Sequence, residues 1–278
     1  MKLVGKDLGG GIVLYKGVLS QIDWSVLYSF CEEQAEKERA EHYRPGKDPI
    51  TGEDGFINRN GYFFPASSVD EMPMHLAHVQ RDKRPEIKKI FDYCETVRDR
   101  LLWEDYLHKF PIAGKCIWWK IKGHVLRYPV GSYIGSHADV STDYEYGKPH
   151  PTDQIATRTT VSTLGFFNNR VETEDELDGT NFMGGLLKFE YIDAEYSPER
   201  GDLLIFPANY MGAHGTTPVT AGIRYSHVGW YCHGSPNPKY REDVLDPNLE
   251  PDRVEGATNI YMTEKYNILP SSPAGWDS

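Results

Sequence analysis

The sequence predicts a mainly β chain with flanking helices, and three observations carry that expectation. After about residue 112, short aromatic and β-branched runs alternate with Gly and Pro punctuation, at the spacing of a sandwich or barrel. Before that point the apolar residues fall into helical stripes. Helices first and strands afterwards place the helices on one face of an antiparallel core. The 278 residues, 13% of them aromatic, are enough to bury a sizeable core in one domain, despite a mean hydropathy of −0.55. The expected division is a helical support over 1–112, a β core over 113–233 and a C-terminal extension over 234–278.

The elements follow in order. Gly11-Ile12-Val13-Leu14-Tyr15 reads as a strand closed by Lys16-Gly17. Ser20, three residues before Asp23, resembles a capping box for a helix carrying Trp24, Leu27 and Cys31, expected to fray in the charged run Glu36-Lys37-Glu38-Arg39. From Tyr43 to Asp70 the Gly, Pro and Asn content predicts loop, with one extended piece at Gly61-Tyr62-Phe63-Phe64. A second helix starts at Pro85, a good first helical residue, and Ile87, Ile90, Phe91, Cys94, Val97 and Leu101 form its stripe. Strands are expected at Cys116–Ile121, His124–Tyr128, Thr159–Phe167, Leu186–Tyr191, Leu203–Phe206 and Ile223–Tyr231. The tail from Gly234 is expected to wrap on the surface.

Composition excludes several classes. No stretch approaches the roughly 20 apolar residues that span a bilayer, and the first residues lack the apolar core of a secretory signal. The 30 Lys and Arg against 41 Asp and Glu give a net charge of −11, which argues against a nucleic-acid partner. Cys31, Cys94, Cys116 and Cys232 lie far apart and form no CxxC pair, so they read as reduced thiols in a cytoplasmic protein. Much of the acidity is local, with five acids between Glu172 and Asp178 and six acids against two arginines over 241–255.

The chemistry-bearing feature is Ser136-His137-Ala138-Asp139. Residues two apart in an extended chain point to one side, so His137 and Asp139 can reach one metal ion; alone, an HxD is also a common turn. His214, 77 positions later, supplies a second imidazole. Two His and one carboxylate on one face of Fe(II) leave positions open for a chelating cosubstrate and O2. Ten positions past His214 comes Arg224, with Ser226 on the same strand face, a guanidinium and hydroxyl suited to the far end of a dicarboxylate.

Here the sequence resembles the Fe(II)/2-oxoglutarate-dependent dioxygenases, in the branch related to prolyl hydroxylases. The resemblance runs from about Val125 to Tyr231. It rests on Arg127-Tyr128-Pro129 through Asp139, on Gly184-Gly185-Leu186-Leu187-Lys188-Phe189, and on Arg200-Gly201-Asp202-Leu203-Leu204-Ile205-Phe206 through Trp230. The resemblance implies a double-stranded β-helix (jelly-roll) core buttressed by N-terminal helices. It makes His137, Asp139 and His214 the catalytic iron ligands. It makes Arg224 the partner of the 2-oxoglutarate C5 carboxylate, with Ser226 and the Tyr128 hydroxyl beside it. The implied cofactors are Fe(II), 2-oxoglutarate as cosubstrate, and O2. The implied reaction hydroxylates an unactivated C–H with release of succinate and CO2, and the carboxylate of Asp139 disfavours halogenation. The expected substrate is a small or amino-acid-like molecule. The alternatives are a peptidyl-prolyl or other protein hydroxylase, and a cupin-like metal-binding module without oxygenase activity. The pattern departs from the family at residues 158–168, leaving Arg158 and Thr160 as lesser pocket candidates, and in the excursion over 168–184.

Other residues carry two readings each. His124 and Trp230 are pocket or plain core positions; His227 should face away from the iron; His233 should lie on the surface. Trp118 and Trp119 read as packing, and Asn58 to Tyr62 as a loop able to reach the barrel mouth. The acidic run over 172–178 is a solvated loop, or a lid that attracts a cationic substrate.

Overall fold

The computed structural model describes residues 4–58, 61, 63–68, 70–72, 84–117, 119–140, 159–232 and 257–259. Trp118, Arg158, His233, residues 59, 60 and 62, and all of the C-terminal extension except 257–259 lie outside them. Seventeen strands are described. In the first half of the chain they are β1 (Lys6–Gly9), β2 (Ile12–Tyr15), β3 (Tyr43–Lys47), β4 (Asp54–Asn58), β5 (Phe63–Pro65), β6 (Asp70–Met72), β7 (Trp119–Tyr128) and β8 (Ile134–His137). The rest are β9 (Thr159–Phe166), β10 (Phe182–Gly184), β11 (Leu187–Phe189), β12 (Ala194–Tyr196), β13 (Leu203–Pro207), β14 (His214–Thr216), β15 (Val219–Gly222), β16 (Arg224–Cys232) and β17 (Ala257–Asn259). Two long helices precede the core, α1 (Trp24–His42) and α2 (Pro85–Leu101).

The chain is therefore mainly β with flanking helices, as its residue pattern predicts. The large sheet runs β1-β2-β13-β9-β16-β7-β17, with β6 also on β7, and a smaller antiparallel sheet runs β12-β11-β14-β8. Apolar residues on the central strands are buried on both faces. Val13, Tyr15, Leu203, Ile205 and Tyr231 meet Leu27, Phe30, Phe91 and Leu101 of the helices. Their strand neighbours Ile12, Leu14, Leu204 and Phe206 turn the other way, onto Leu187 and Phe189 of the smaller sheet. This two-residue alternation sorts one run of sequence into two cores.

Several local expectations are corrected. The cap of α1 is Asp23, whose carboxylate accepts from the Val26 N–H at 3.2 Å, not Ser20. The helix continues through the charged run to His42, because good helix formers such as Glu and Lys carry it on. Residues Tyr43–Pro65 form a three-stranded sheet rather than a loop: Pro45 and Gly46 hid β3, since both weaken a strand pattern without forbidding an edge strand. A short helix, Pro111–Cys116, replaces the start of the strand expected at Cys116. Pro85 does open α2, and none of the four cysteines forms a disulfide. Among the described residues no helix is long and apolar enough to cross a membrane.

One close approach constrains the sheet. Arg98 of α2 is fully buried, with its guanidinium over the Tyr231 ring at 5.1 Å and an ion pair to Glu95 at 2.7 Å. It lies against Gly229 of β16, where an added Cβ would stand 1.5 Å from Arg98 Nη1. Gly229→Ala is expected to destabilise the fold by about 2–3 kcal/mol, since the Arg98 guanidinium, fully buried and paired with Glu95, would have to leave its place. Urea unfolding checks this, and wild-type stability in the variant would refute it.

Candidate active site

His137, Asp139 and His214 converge. Register places His137 at the end of β8 directly opposite His214 at the start of β14. Asp139 follows in the loop after β8, which is tied down where the Val140 N–H donates to the Ala208 carbonyl at 2.9 Å. One ligand atom from each of the three lies within 4.8 Å of the others. His137 Nε2 is 3.3 Å from Asp139 Oδ1, and the two imidazole centroids are 4.7 Å apart.

The backbone sets the tautomer of both rings. His137 Nδ1 lies 2.9 Å from the Gly135 carbonyl, and His214 Nδ1 lies 3.0 Å from that of Gly212. A carbonyl only accepts, so each Nδ1 carries the hydrogen and each Nε2 keeps its lone pair for the centre. The tight β13–β14 connection makes this possible for His214. An added Cβ at Gly212 would stand 1.9 Å from the Pro207 carbonyl, so only glycine allows the turn that presents the Gly212 oxygen. Phe206 and Phe189 wall the His214 ring, at centroid separations of 4.9 and 5.9 Å.

The charges reinforce one another. Burial pushes the Asp139 carboxyl up, but the hydrogen bond with His137 and the His214 charge prevail and hold it at about 2. The same bond raises His137 above the ordinary histidine value, while burial lowers His214. A cation bound here would displace the His137 proton. Affinity for Mn(II) is therefore expected to rise with pH through the neutral range and level off once His137 is neutral. Calorimetry in two buffers of different ionisation enthalpy reads the released proton, and uptake without proton release at any pH would refute the coupling.

Behind this cluster stands a guanidinium with unfilled donors. Arg224 is 0% exposed; its Nη1 donates weakly to Thr216 Oγ1 at 3.4 Å, and neither Nε nor Nη2 has a partner among the described residues. Its Cζ lies 4.4 Å over the Tyr128 ring. Ser226 Oγ, also fully buried, has no partner either. Unpaired buried donors are costly, so their presence beside a cavity fits an anionic ligand. That cavity, of about 150 Å3, is lined by Tyr128, Thr216 and the His137, Asp139 and His214 cluster. A two-imidazole, one-carboxylate donor set next to an unfilled guanidinium fits both Fe(II) and a dicarboxylate.

A family model described as the 2OG-Fe(II) oxygenase superfamily matches residues 123–232, the stretch that holds all six of these side chains. Over that stretch the chain is similar to the superfamily. Its Fe(II), 2-oxoglutarate and O2 are the cofactors the family implies. The chain is 32% identical over 123 residues to a PKHD-type hydroxylase of Idiomarina loihiensis, covering 43% of this chain and 46% of that one. It is 31% identical over 91 residues to a PKHD-type hydroxylase of a Synechococcus strain, covering 32% of this chain and 39% of that one. The chain thus spans less than half the length of these curated relatives. Among solved structures it is similar to a viral collagen prolyl hydroxylase from Paramecium bursaria Chlorella virus-1, at 15% identity and TM-score 0.46, covering 81% of this chain and 96% of that one. It is also similar to a Trichoplax adhaerens prolyl hydroxylase in complex with a hypoxia-inducible-factor peptide, at 15% identity and TM-score 0.47, covering 86% and 88%.

Of the six sequence-predicted residues, His137, Asp139, His214 and Tyr128 line one cavity, while Arg224 and Ser226 are buried behind it on β16, Arg224 packed on the Tyr128 ring; two further lining residues were underweighted by sequence reading. Thr216, two positions past His214 on the same strand, faces the same way; the two-residue period could have found it. His124, open to two readings, lines the cavity with Trp230, their rings 5.0 Å apart. His227 faces the helices, 4.0 Å from Glu95, as strand alternation predicts. Thr160 is not among the described lining residues. No described residue of the 168–184 excursion lines the cavity either. Its acids are engaged locally: Glu176 closes a capping box with Thr173, Glu172 pairs with Arg170, and Asp178 accepts from the Thr180 N–H at 2.8 Å.

Proposed function

We propose that this chain is an Fe(II)- and 2-oxoglutarate-dependent dioxygenase that hydroxylates an unactivated C–H of a small, amino-acid-like substrate and releases succinate and CO2. The observation that carries the reading is the buried Arg224, with its unfilled donors, packed against Tyr128 and Thr216 of the cavity that holds the His-Asp-His cluster. A cupin-like metal-binding module has no use for a dicarboxylate clamp, so this pair separates the two readings. The proposal takes the chain as one domain, with the two facing sheets as a double-stranded β-helix and the helices as its support.

His137, Asp139 and His214 would hold the iron through two Nε2 lone pairs and a carboxylate. Iron with its cosubstrate would supply the electrons that activate O2 for C–H hydroxylation, and the protein supplies placement and shielding. Gly135 and Gly212 hold the hydrogen on Nδ1 of both imidazoles, so loading the site removes the His137 Nε2 proton and leaves both Nδ1 hydrogens in place. Arg224 would grip the distal carboxylate of 2-oxoglutarate, with Ser226 and Tyr128 beside it. Phe206, Leu187 and Leu164 line the cavity and exclude water from the reacting atoms.

The test is succinate formation from 2-oxoglutarate under air with Fe(II), across a panel of free amino acids and peptides. Stimulation by free amino acids supports the reading. Stimulation by peptides alone would move the substrate to the protein-hydroxylase class, and no succinate under any condition would overturn the oxygenase reading.

A further inference from the structure

Beyond the clamp and the ligand cluster, the cavity has a second polar anchor that the reaction described so far does not use. His124, Leu126 and Tyr128 alternate along β7 and all three line the cavity, so they share one sheet face. On β16, Tyr128 lies opposite Arg224 and His124 lies opposite Val228. The two anchors are four residues apart along paired strands, about 13 Å at the rise of a β-strand. A five-carbon diacid held by Arg224 is too short to reach His124. Between the anchors lie Leu126 and, opposite it, Ser226; Leu126 and Val228, which faces His124, make the His124 end of the wall apolar, and the His-Asp-His cluster faces it from the other sheet. His124 therefore belongs to the space of a second ligand.

The charge of that space is readable. Among the described residues lining the cavity the single acid is Asp139, already committed to His137. No other carboxylate described there is available to a cation, whereas an imidazole N–H can donate to an anion. Resting on the oxygenase reading, we propose that His124 is a specificity-determining residue that binds a carboxylate of the primary substrate at the end of the cavity remote from Arg224. The substrate is thereby a small carboxylic acid of the amino-acid type, held by its carboxylate at His124 with its hydrocarbon part spanning Leu126 and Val228 toward the metal.

The experiment titrates the full-length, Mn(II)- and 2-oxoglutarate-loaded protein, free of O2, with the twenty L-amino acids and with their carboxamides. The indole of Trp230, packed on His124, reports occupancy by fluorescence. At least one free acid is expected to bind, and its carboxamide to bind about 10- to 100-fold more weakly, the range set by loss of a charge-assisted hydrogen bond. His124→Leu is expected to weaken the acid by the same factor and abolish the discrimination, with 2-oxoglutarate affinity unchanged. His124→Gln keeps a donor and is expected to recover part of the loss, and this separates recognition from misfolding. Equal binding of acid and amide by the wild type, wild-type discrimination in His124→Leu, or no binding by any acid overturns the assignment. Failure of the Mn(II)-loaded wild type to bind 2-oxoglutarate, measured by titration before any amino acid is added, instead overturns the oxygenase reading beneath it.

Discussion

Replacing Asp139 by Ala abolishes succinate formation and weakens Fe(II) binding by more than the roughly 10–100-fold typical of losing an outer-shell partner. The carboxylate is the single anionic member of the ligand cluster and holds two imidazoles 4.7 Å apart in one site. It is poised for the role, since its pKa of about 2 keeps it charged at any pH at which the His residues are neutral. Asp139→Asn is expected to fail similarly, because it keeps the shape and loses the charge. Both variants should fold, as the loop is anchored by the Val140 backbone bond to Ala208 rather than by the carboxylate. Equilibrium metal titration beside a thermal melt checks this; wild-type iron affinity in Asp139→Ala would contradict the ligand assignment.

Arg224→Met is expected to lose 2-oxoglutarate binding by about 100-fold or more while the ligand-free protein becomes no less stable. In the wild type a fully buried guanidinium keeps Nε and Nη2 without partners among the described residues, set against the Tyr128 and Phe166 rings. A buried charge without partners costs several kcal/mol, and a flexible apolar side chain of similar length removes that cost. The same charge becomes an asset when a carboxylate arrives, so 2-oxoglutarate should raise the melting temperature of the wild type and leave that of the variant unchanged. Thermal melts with and without 2-oxoglutarate decide it. A large loss of ligand-free stability in Arg224→Met, or retained 2-oxoglutarate affinity, would show that the guanidinium serves packing instead.

What could be read from the sequence divides along a physical line. His137 with Asp139, and Arg224 with Ser226, were legible because strand alternation is a local property that survives any tertiary arrangement. The pairing of His137 with His214 required the 77-residue gap to close through β8 and β14, which spacing alone does not encode; the family resemblance supplied it. Short strands such as β10, β12 and β14 have three residues each, too few for a period to register. The β3–β5 sheet was hidden by Pro45 and Gly46, and the ordered acidic loop by charges that read as solvated until their partners Arg170, Thr173 and Thr180 are in place. His124 shows the opposite limit: its strand was foreseen, but its role depends on which face meets the smaller sheet.

The central claim is that the metal cluster and Arg224 act on one 2-oxoglutarate molecule. Anaerobic titration of the Fe(II)-loaded protein with 2-oxoglutarate, followed by absorbance, tests it most directly. A visible band that grows with 2-oxoglutarate, saturates at one equivalent per chain and requires far higher concentrations in Arg224→Met is the predicted result. Tight iron binding with no 2-oxoglutarate-dependent band would contradict it and leave a metal-binding module.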